Sequence, residues 1–150
     1  MKKFTLIAGP CAIEDDIIPF KIGKEVKRIC EKLDIDFIFK GSYRKANRSK
    51  LDSFTGIGDD VALNILKQIG KDLRVPTITD VHESHEVEHV AKFVDHLQIP
   101  AFLCRQTELL LAAGNSGCGV NIKKGQFLSP EAMVFPLEKV LSTGNKNVWL

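Results

Sequence analysis

The chain has 150 residues, 44% hydrophobic and 27% charged, the profile of a folded globular protein and not of a disordered one. No apolar run approaches the roughly 20 residues of a membrane span, and Phe4–Ala8 is cut off by Gly9-Pro10 too early for a signal peptide. A cytoplasmic protein with no membrane partner is therefore expected. Twenty-one basic against 19 acidic residues leave a formal charge of +2, too balanced to announce a nucleic-acid surface.

Strand-like runs alternate with amphipathic helical patterns along the chain. The run Phe4–Ala8 precedes a helix with Ile17, Ile22, Val26, Ile29 and Leu33 on its apolar face. Asp36–Phe39 comes next, followed by a helix patterned by Val61, Leu63, Ile65, Leu66 and Ile69 that is expected to stop near Gly70. Val75–Thr79 is the third run, and the short helix after it has Val87, Val90, Ala91 and Val94 as apolar positions. Leu97–Phe102 leads to a helix ending near Gly114, and Gly119–Ile122 to one opened by Ser129-Pro130-Glu131, a cap, a first-turn proline and a favourable carboxylate. Asn147–Leu150 is the sixth run. This is βαβ rhythm, predicting parallel strands with helical crossovers, and no linker or low-complexity tract divides the chain. A flavodoxin-like sheet would fit the length, whereas a closed (β/α)₈ barrel needs about 250 residues. The chain, however, stops inside the apolar Val148-Trp149-Leu150, which reads as a truncation.

Candidate chemistry gathers after the strands. Lys40 to Lys50 holds five cations, and strand alternation aims Lys40 and Ser42 to one side, so the segment is either a solvated basic loop or a phosphate or carboxylate site. Thr79-Asp80-Val81-His82-Glu83, Gln98 and Asn121-Ile122-Lys123-Lys124 repeat the polar strand end, as a shared site or as ordinary loop polarity. His85-Glu86-Val87-Glu88-His89 matches the zinc pattern H-E-x-x-H, but its histidines fall on or beside the polar face of their helix and Glu108 belongs to another βα unit, so zinc is not expected there. His82 and His96 are read as structural or as supporting neighbouring site groups, not as ligands. The four cysteines form no C-x-x-C pair, and reduced thiols are expected. Cys11, after the first run, is a soft metal ligand, a nucleophile or simple packing.

Gly9-Pro10-Cys11-Ala12-Ile13-Glu14, Phe39-Lys40-Gly41-Ser42, Lys45-Ala46-Asn47-Arg48-Ser49, Thr79-Asp80-Val81-His82-Glu83, the block Leu97 to Thr107 and the block Asn121 to Pro130 together resemble the 3-deoxy-D-manno-octulosonate 8-phosphate synthase family. The resemblance runs through essentially the whole chain in the family's order. It implies an α/β fold, an incomplete (β/α)₈ TIM barrel of about five βα units plus a sixth strand, the N-terminal portion of a single barrel domain. It also implies a homotetrameric parent enzyme that condenses phosphoenolpyruvate with arabinose 5-phosphate on the path to lipopolysaccharide.

Carried over, the resemblance makes Lys45, Lys123 and Asp80 the catalytic candidates and Lys40, Ser42, Asn47, Arg48, Ser49 and Gln98 the substrate-binding ones. Lys40, Ser42, Lys45 and Lys123 would take the charges of phosphoenolpyruvate, Asn47, Arg48 and Ser49 the sugar phosphate, and Asp80 and Gln98 the sugar hydroxyls or aldehyde. Cys11 in place of asparagine marks the metal-dependent type, with Zn or Fe held in the parent by Cys11 and residues beyond Leu150, and no metal held tightly by this chain. Gly125 stands where many members have proline and is expected to loosen its turn. The alternatives are a 3-deoxyheptulosonate 7-phosphate synthase, whose K-P-R-T-S block is absent, a non-catalytic half-barrel remnant and, more remotely, a flavodoxin-like ligand-binding domain. The isolated chain is expected to be inactive.

Overall fold

The computed structural model describes residues 3–150. Strands and helices alternate in the order β1 (Thr5–Ala8), α1 (Ile18–Leu33), β2 (Asp36–Lys40), α2 (Asp59–Leu73), β3 (Thr77–Asp80), α3 (Val87–Val90), β4 (His96–Ile99), α4 (Thr107–Asn115), β5 (Gly119–Ile122), α5 (Val134–Leu141) and β6 (Val148–Trp149). Two compact units are resolved, residues 1–79 and 80–150. In the first, β1 pairs with β2 from Thr5↔Asp36 to Ala8↔Phe39, and β2 with β3 at Phe39↔Thr77 and Lys40↔Ile78, all parallel. In the second, β4 pairs with β5 from His96↔Gly119 to Ile99↔Ile122, and β5 with β6 at Val120↔Val148 and Asn121↔Trp149, again parallel. Parallel strands in sequence order with helical crossovers are the organisation of an incomplete (β/α)₈ barrel.

The cores follow from strand alternation and helix faces. In the first unit Phe39, Leu63, Leu66 and Ile78 are wholly buried; in the second Leu97, Ile99, Leu110, Val120 and Ile122 are. α2 turns Ala62, Leu63, Leu66, Ile69 and Leu73 inward as its periodicity predicts, with Asp59 and Asp60 complementing the dipole of its first turn. α1 departs from expectation. It buries Pro19, Gly23 and Cys30, while Ile17, Ile29 and Leu33 are exposed. The reason is close packing at Gly23, where an added Cβ would lie 2.8 Å from Leu73 Cδ1 and 3.0 Å from the Phe39 ring. The helix approaches on its smallest residue.

Element bounds shift for local reasons. β3 begins at Thr77, not Val75, because Pro76 has no N–H for the ladder; its carbonyl still accepts the Phe39 N–H at 2.8 Å. β4 stops at Ile99 because Pro100 follows, and Ala101–Leu103 forms a 3₁₀ turn instead of more strand. Gly70 does not end α2, which runs on to Leu73 and is closed by Arg74 in the left-handed region at φ 52°. Gly70 is instead a contact residue whose Cβ would meet Thr77 Cγ2 at 2.8 Å. Ser129 does cap the fifth helical segment, its hydroxyl accepting the Ala132 N–H at 3.3 Å. That segment opens with a 3₁₀ turn, Glu131–Met133.

The tightest main-chain approach is at Gly9, where a Cβ would stand 1.9 Å from the Lys40 carbonyl oxygen. No side chain can relax this, because the obstacle is backbone. Gly9→Ala is therefore expected to destabilise the fold by at least the ~1–3 kcal/mol of an overpacked core site. Urea-midpoint measurements on the variant check this; a loss below about 0.5 kcal/mol would contradict the contact.

Candidate active site

The ladder between β1 and β2 continues past both strands into their loops. Ser42 N–H donates to the Cys11 carbonyl at 3.2 Å and Ile13 N–H to the Ser42 carbonyl at 3.0 Å, with Ala12 and Ser42 in parallel register. These bonds zip the Gly9-Pro10-Cys11-Ala12 loop to the Lys40-Gly41-Ser42 loop and set the side chains beyond. Lys40 Nζ donates to Ser42 Oγ at 2.9 Å and Lys45 Nζ to the same oxygen at 3.1 Å, while Lys45 Nζ is also 2.9 Å from Cys11 Sγ. Ser42 is buried, and both lysines are half-buried. The same-side expectation for Lys40 and Ser42 holds, and Cys11, the exposed one of four free cysteines, joins them.

The other cations of this segment are engaged differently. Arg44 pairs with Asp59 at 3.3 Å, and Arg48 Nε donates to the Phe54 carbonyl at 3.1 Å. Lys45 N–H donates to the Thr55 carbonyl at 2.7 Å, so these bonds close the loop on itself. Asn47 and Ser49 are exposed on it.

Hydrogen bonding from Lys45 is the main cause that lowers the Cys11 pKa from its ordinary value of 9.0; burial opposes it, and the charges of Lys45, Lys40 and Arg48 assist. The Cys11 thiol is thus more readily ionised than an ordinary one, and it sits among ammonium groups. Among the described residues no three His, Cys, Asp or Glu side chains are grouped to hold a metal ion. The donor set within this chain does not by itself fit a Zn or Fe centre at Cys11: one soft sulfur is present, and its neighbours are cations.

In the second unit Asp80 ends β3, and its carboxylate accepts from the buried Gln98 side-chain amide. Gln98 faces Asn121 in register, and the ladder again outruns the strands, with Lys123 N–H donating to the Ile99 carbonyl at 3.1 Å. Both lysines that follow are exposed, and Lys124 Nζ donates to the Gly125 and Leu128 carbonyls, each at 2.8 Å, and so holds the turn. Gly125 in that turn is buried, and a Cβ there would stand 3.0 Å from Cys104 Sγ.

Sequence reasoning passed over a cleft in the second unit of about 550 Å³, whose lining includes His82, Ser84, Arg105 and Thr107. Two of its lining residues, His82 and Glu83, belong to a polar strand end visible in the sequence, and Arg105-Gln106-Thr107 supplies further polar groups. The H-E-x-x-H match is explained otherwise. Glu86 accepts the Glu83 N–H at 3.0 Å and also the His82 N–H, and it completes a capping box with Glu83, so it is a structural carboxylate. His96 packs edge-on against Trp149, ring centroids 5.1 Å apart, and burial lowers its pKa, in keeping with a structural role.

A sequence profile described as the DAHP synthetase I family matches residues 1–150. The chain belongs to this family. Curated relatives named 2-dehydro-3-deoxyphosphooctonate aldolase include one from Fusobacterium nucleatum, 48% identical over 149 residues, covering 99% of this chain and 54% of the relative. Another, from Desulfatibacillum aliphaticivorans, is 50% identical over 145 residues, covering 97% and 53%. A third, from Acidithiobacillus ferrooxidans, is 48% identical over 145 residues, covering 97% and 52%. The chain thus spans about half the length of the curated relatives it matches. No helix among the described residues is long and apolar enough to cross a membrane.

The Lys45–Cys11 contact carries a pH signature. Because the folded pKa of Cys11 is depressed, its stabilisation is fully present above the ordinary thiol value of 9.0 and is lost as pH falls through the lowered folded value. Iodoacetamide should alkylate Cys11 at neutral pH faster than the buried Cys30, and Lys45→Met should slow it and move its pH–rate midpoint upward. An unchanged midpoint in Lys45→Met would sink the pairing.

Proposed function

We propose that the chain is the phosphate-binding half of an enzyme that condenses phosphoenolpyruvate with arabinose 5-phosphate and water, giving 3-deoxy-D-manno-octulosonate 8-phosphate and phosphate. The convergence of Lys40 and Lys45 on one buried serine hydroxyl carries this reading. Two ammonium groups no more than about 6 Å apart repel by on the order of 3 kcal/mol at an effective dielectric of about 20, and a bound dianion converts that repulsion into attraction. A solvated basic loop would let such side chains separate. The names of the curated relatives support the same chemistry.

In this reading the enol C3 of phosphoenolpyruvate attacks the aldehyde carbon, forming the new C–C bond, while water adds at C2. The resulting hemiketal phosphate breaks its C–O bond and releases phosphate. Lys40, Ser42, Lys45 and Lys123 bind the phosphate and carboxylate and keep two like-charged substrates together. Asn47, Arg48 and Ser49 take the sugar phosphate, and Asp80 contacts the aldehyde or a hydroxyl. The parent is a homotetramer in this reading, with a divalent metal held by Cys11 together with donors that this chain does not supply. Such an ion would polarise the aldehyde when bound.

The test joins this chain to the C-terminal half of the Fusobacterium nucleatum relative and measures phosphate release. Turnover is expected with phosphoenolpyruvate plus arabinose 5-phosphate, and negligible turnover from the chain alone. Lys45→Ala or Lys123→Ala should each cost about tenfold or more, from losing a charge-assisted hydrogen bond worth roughly 1.5–3 kcal/mol. Near-parental kinetics in both variants would refute the assignment. A tetrose phosphate leaves groups that pair pentose hydroxyls unsatisfied, so kcat/KM for erythrose 4-phosphate should fall well below that for arabinose 5-phosphate. Comparable values would favour the heptulosonate reaction, and a folded hybrid inert with every aldose phosphate would favour a non-catalytic remnant.

A further inference from the structure

Gln98 is a polar residue inside an apolar strand, flanked in β4 by the wholly buried Leu97 and Ile99, with 8% of its own surface exposed. A primary amide in such a place requires partners. Its side-chain amide donates to Asp80 Oδ1, and its main-chain carbonyl accepts the Val81 N–H at 3.1 Å. One residue thus grips the end of β3 twice, at the carboxylate of Asp80 and at the peptide bond that follows it. Of the pair, Asp80 is the more exposed. A carboxylate's last torsion is soft, and a directional donor from a buried amide restricts its plane.

We infer that Gln98 is a positioning residue acting through Asp80 and does not itself bind the aldose: its buried amide sets the orientation in which the Asp80 carboxylate meets the substrate. This rests on the condensation reading for what Asp80 touches, but the pairing is testable without it. In this chain the Gln98 side-chain NH₂ resonances should shift in Asp80→Asn, and their protons should exchange with water about tenfold faster or more. Unmoved Gln98 resonances would overturn the pairing, whatever the enzyme does.

In the hybrid enzyme Gln98→Leu should lower kcat about tenfold or more, with KM for both substrates held within about twofold. The same change in an Asp80→Ala background should cost less than about twofold, because the interaction has already been removed. A rise in KM confined to the aldose phosphate, additive with Asp80→Ala, would show that Gln98 binds the sugar and overturn the inference. Gln98→Met, unbranched and nearly isosteric, carries the same test if Gln98→Leu fails to fold. A hybrid without turnover would count against the condensation reading, while the amide resonances still decide the pairing.

Discussion

Main chain packs against main chain where Gly9 meets the carbonyl of Lys40, at a distance no Cβ could share. Ordinary parallel strands diverge into their loops once the ladder ends. Here the approach at Gly9 lets it continue, through the Ser42 and Ile13 amides, so that the loops after β1 and β2 are fastened to each other. Loop residues placed by backbone hydrogen bonds lose the freedom that would blur a site built from long side chains. The positions of Ser42 Oγ, Lys45 Nζ and Cys11 Sγ all follow from that fastening. The second unit uses the same device, where the Ile99 carbonyl takes the Lys123 amide and the Gln98 carbonyl takes that of Val81.

The charges of the basic loop are not equivalent. Composition sees five cations in eleven residues, which fits a solvated surface as well as an anion site. The fold sorts them. Arg44 is paired with Asp59 and Arg48 with the Phe54 carbonyl, each fixing the loop, whereas Lys40 and Lys45 turn toward a single hydroxyl. Holding ammonium groups near one another costs free energy. The ligand that best offsets the cost is compact and doubly charged, and at Lys45 the hydrogen bond to Cys11 Sγ satisfies one of the ammonium protons.

Much of the architecture was legible because strands read as short β-branched and aromatic runs and helices as 3.6-residue periods. β5 and the inward face of α2 were readable for that reason. The misreadings have definite causes. Prolines at positions 76 and 100 moved strand ends by removing N–H donors, and Gly23 let α1 approach on a small-residue face that hydrophobicity alone does not reveal. Gly70 resembled a helix stop, yet its role is contact with Thr77. In the site, alternation foretold the Lys40–Ser42 pair because the two residues are neighbours on one strand end. The Lys45–Cys11 contact spans 34 positions and depends on the loop fastening, which local pattern does not encode. The blocks of family resemblance named these residues without saying which touch.

Cys11 Sγ can take two classes of partner. Within this chain it accepts a hydrogen bond from the Lys45 ammonium at 2.9 Å. A soft divalent ion would compete for the same lone pairs, and it would need further donors, because a single sulfur among cations does not offset the desolvation of a doubly charged ion. In the proposed enzyme, a metal bound at Cys11 would therefore displace the Lys45 contact from that atom. An enzyme that supplied the remaining donors would release Lys45 from sulfur toward Ser42 and the anion beside it. In the proposed enzyme, metal binding and phosphate affinity would then be coupled through Lys45, a linkage that must act reciprocally.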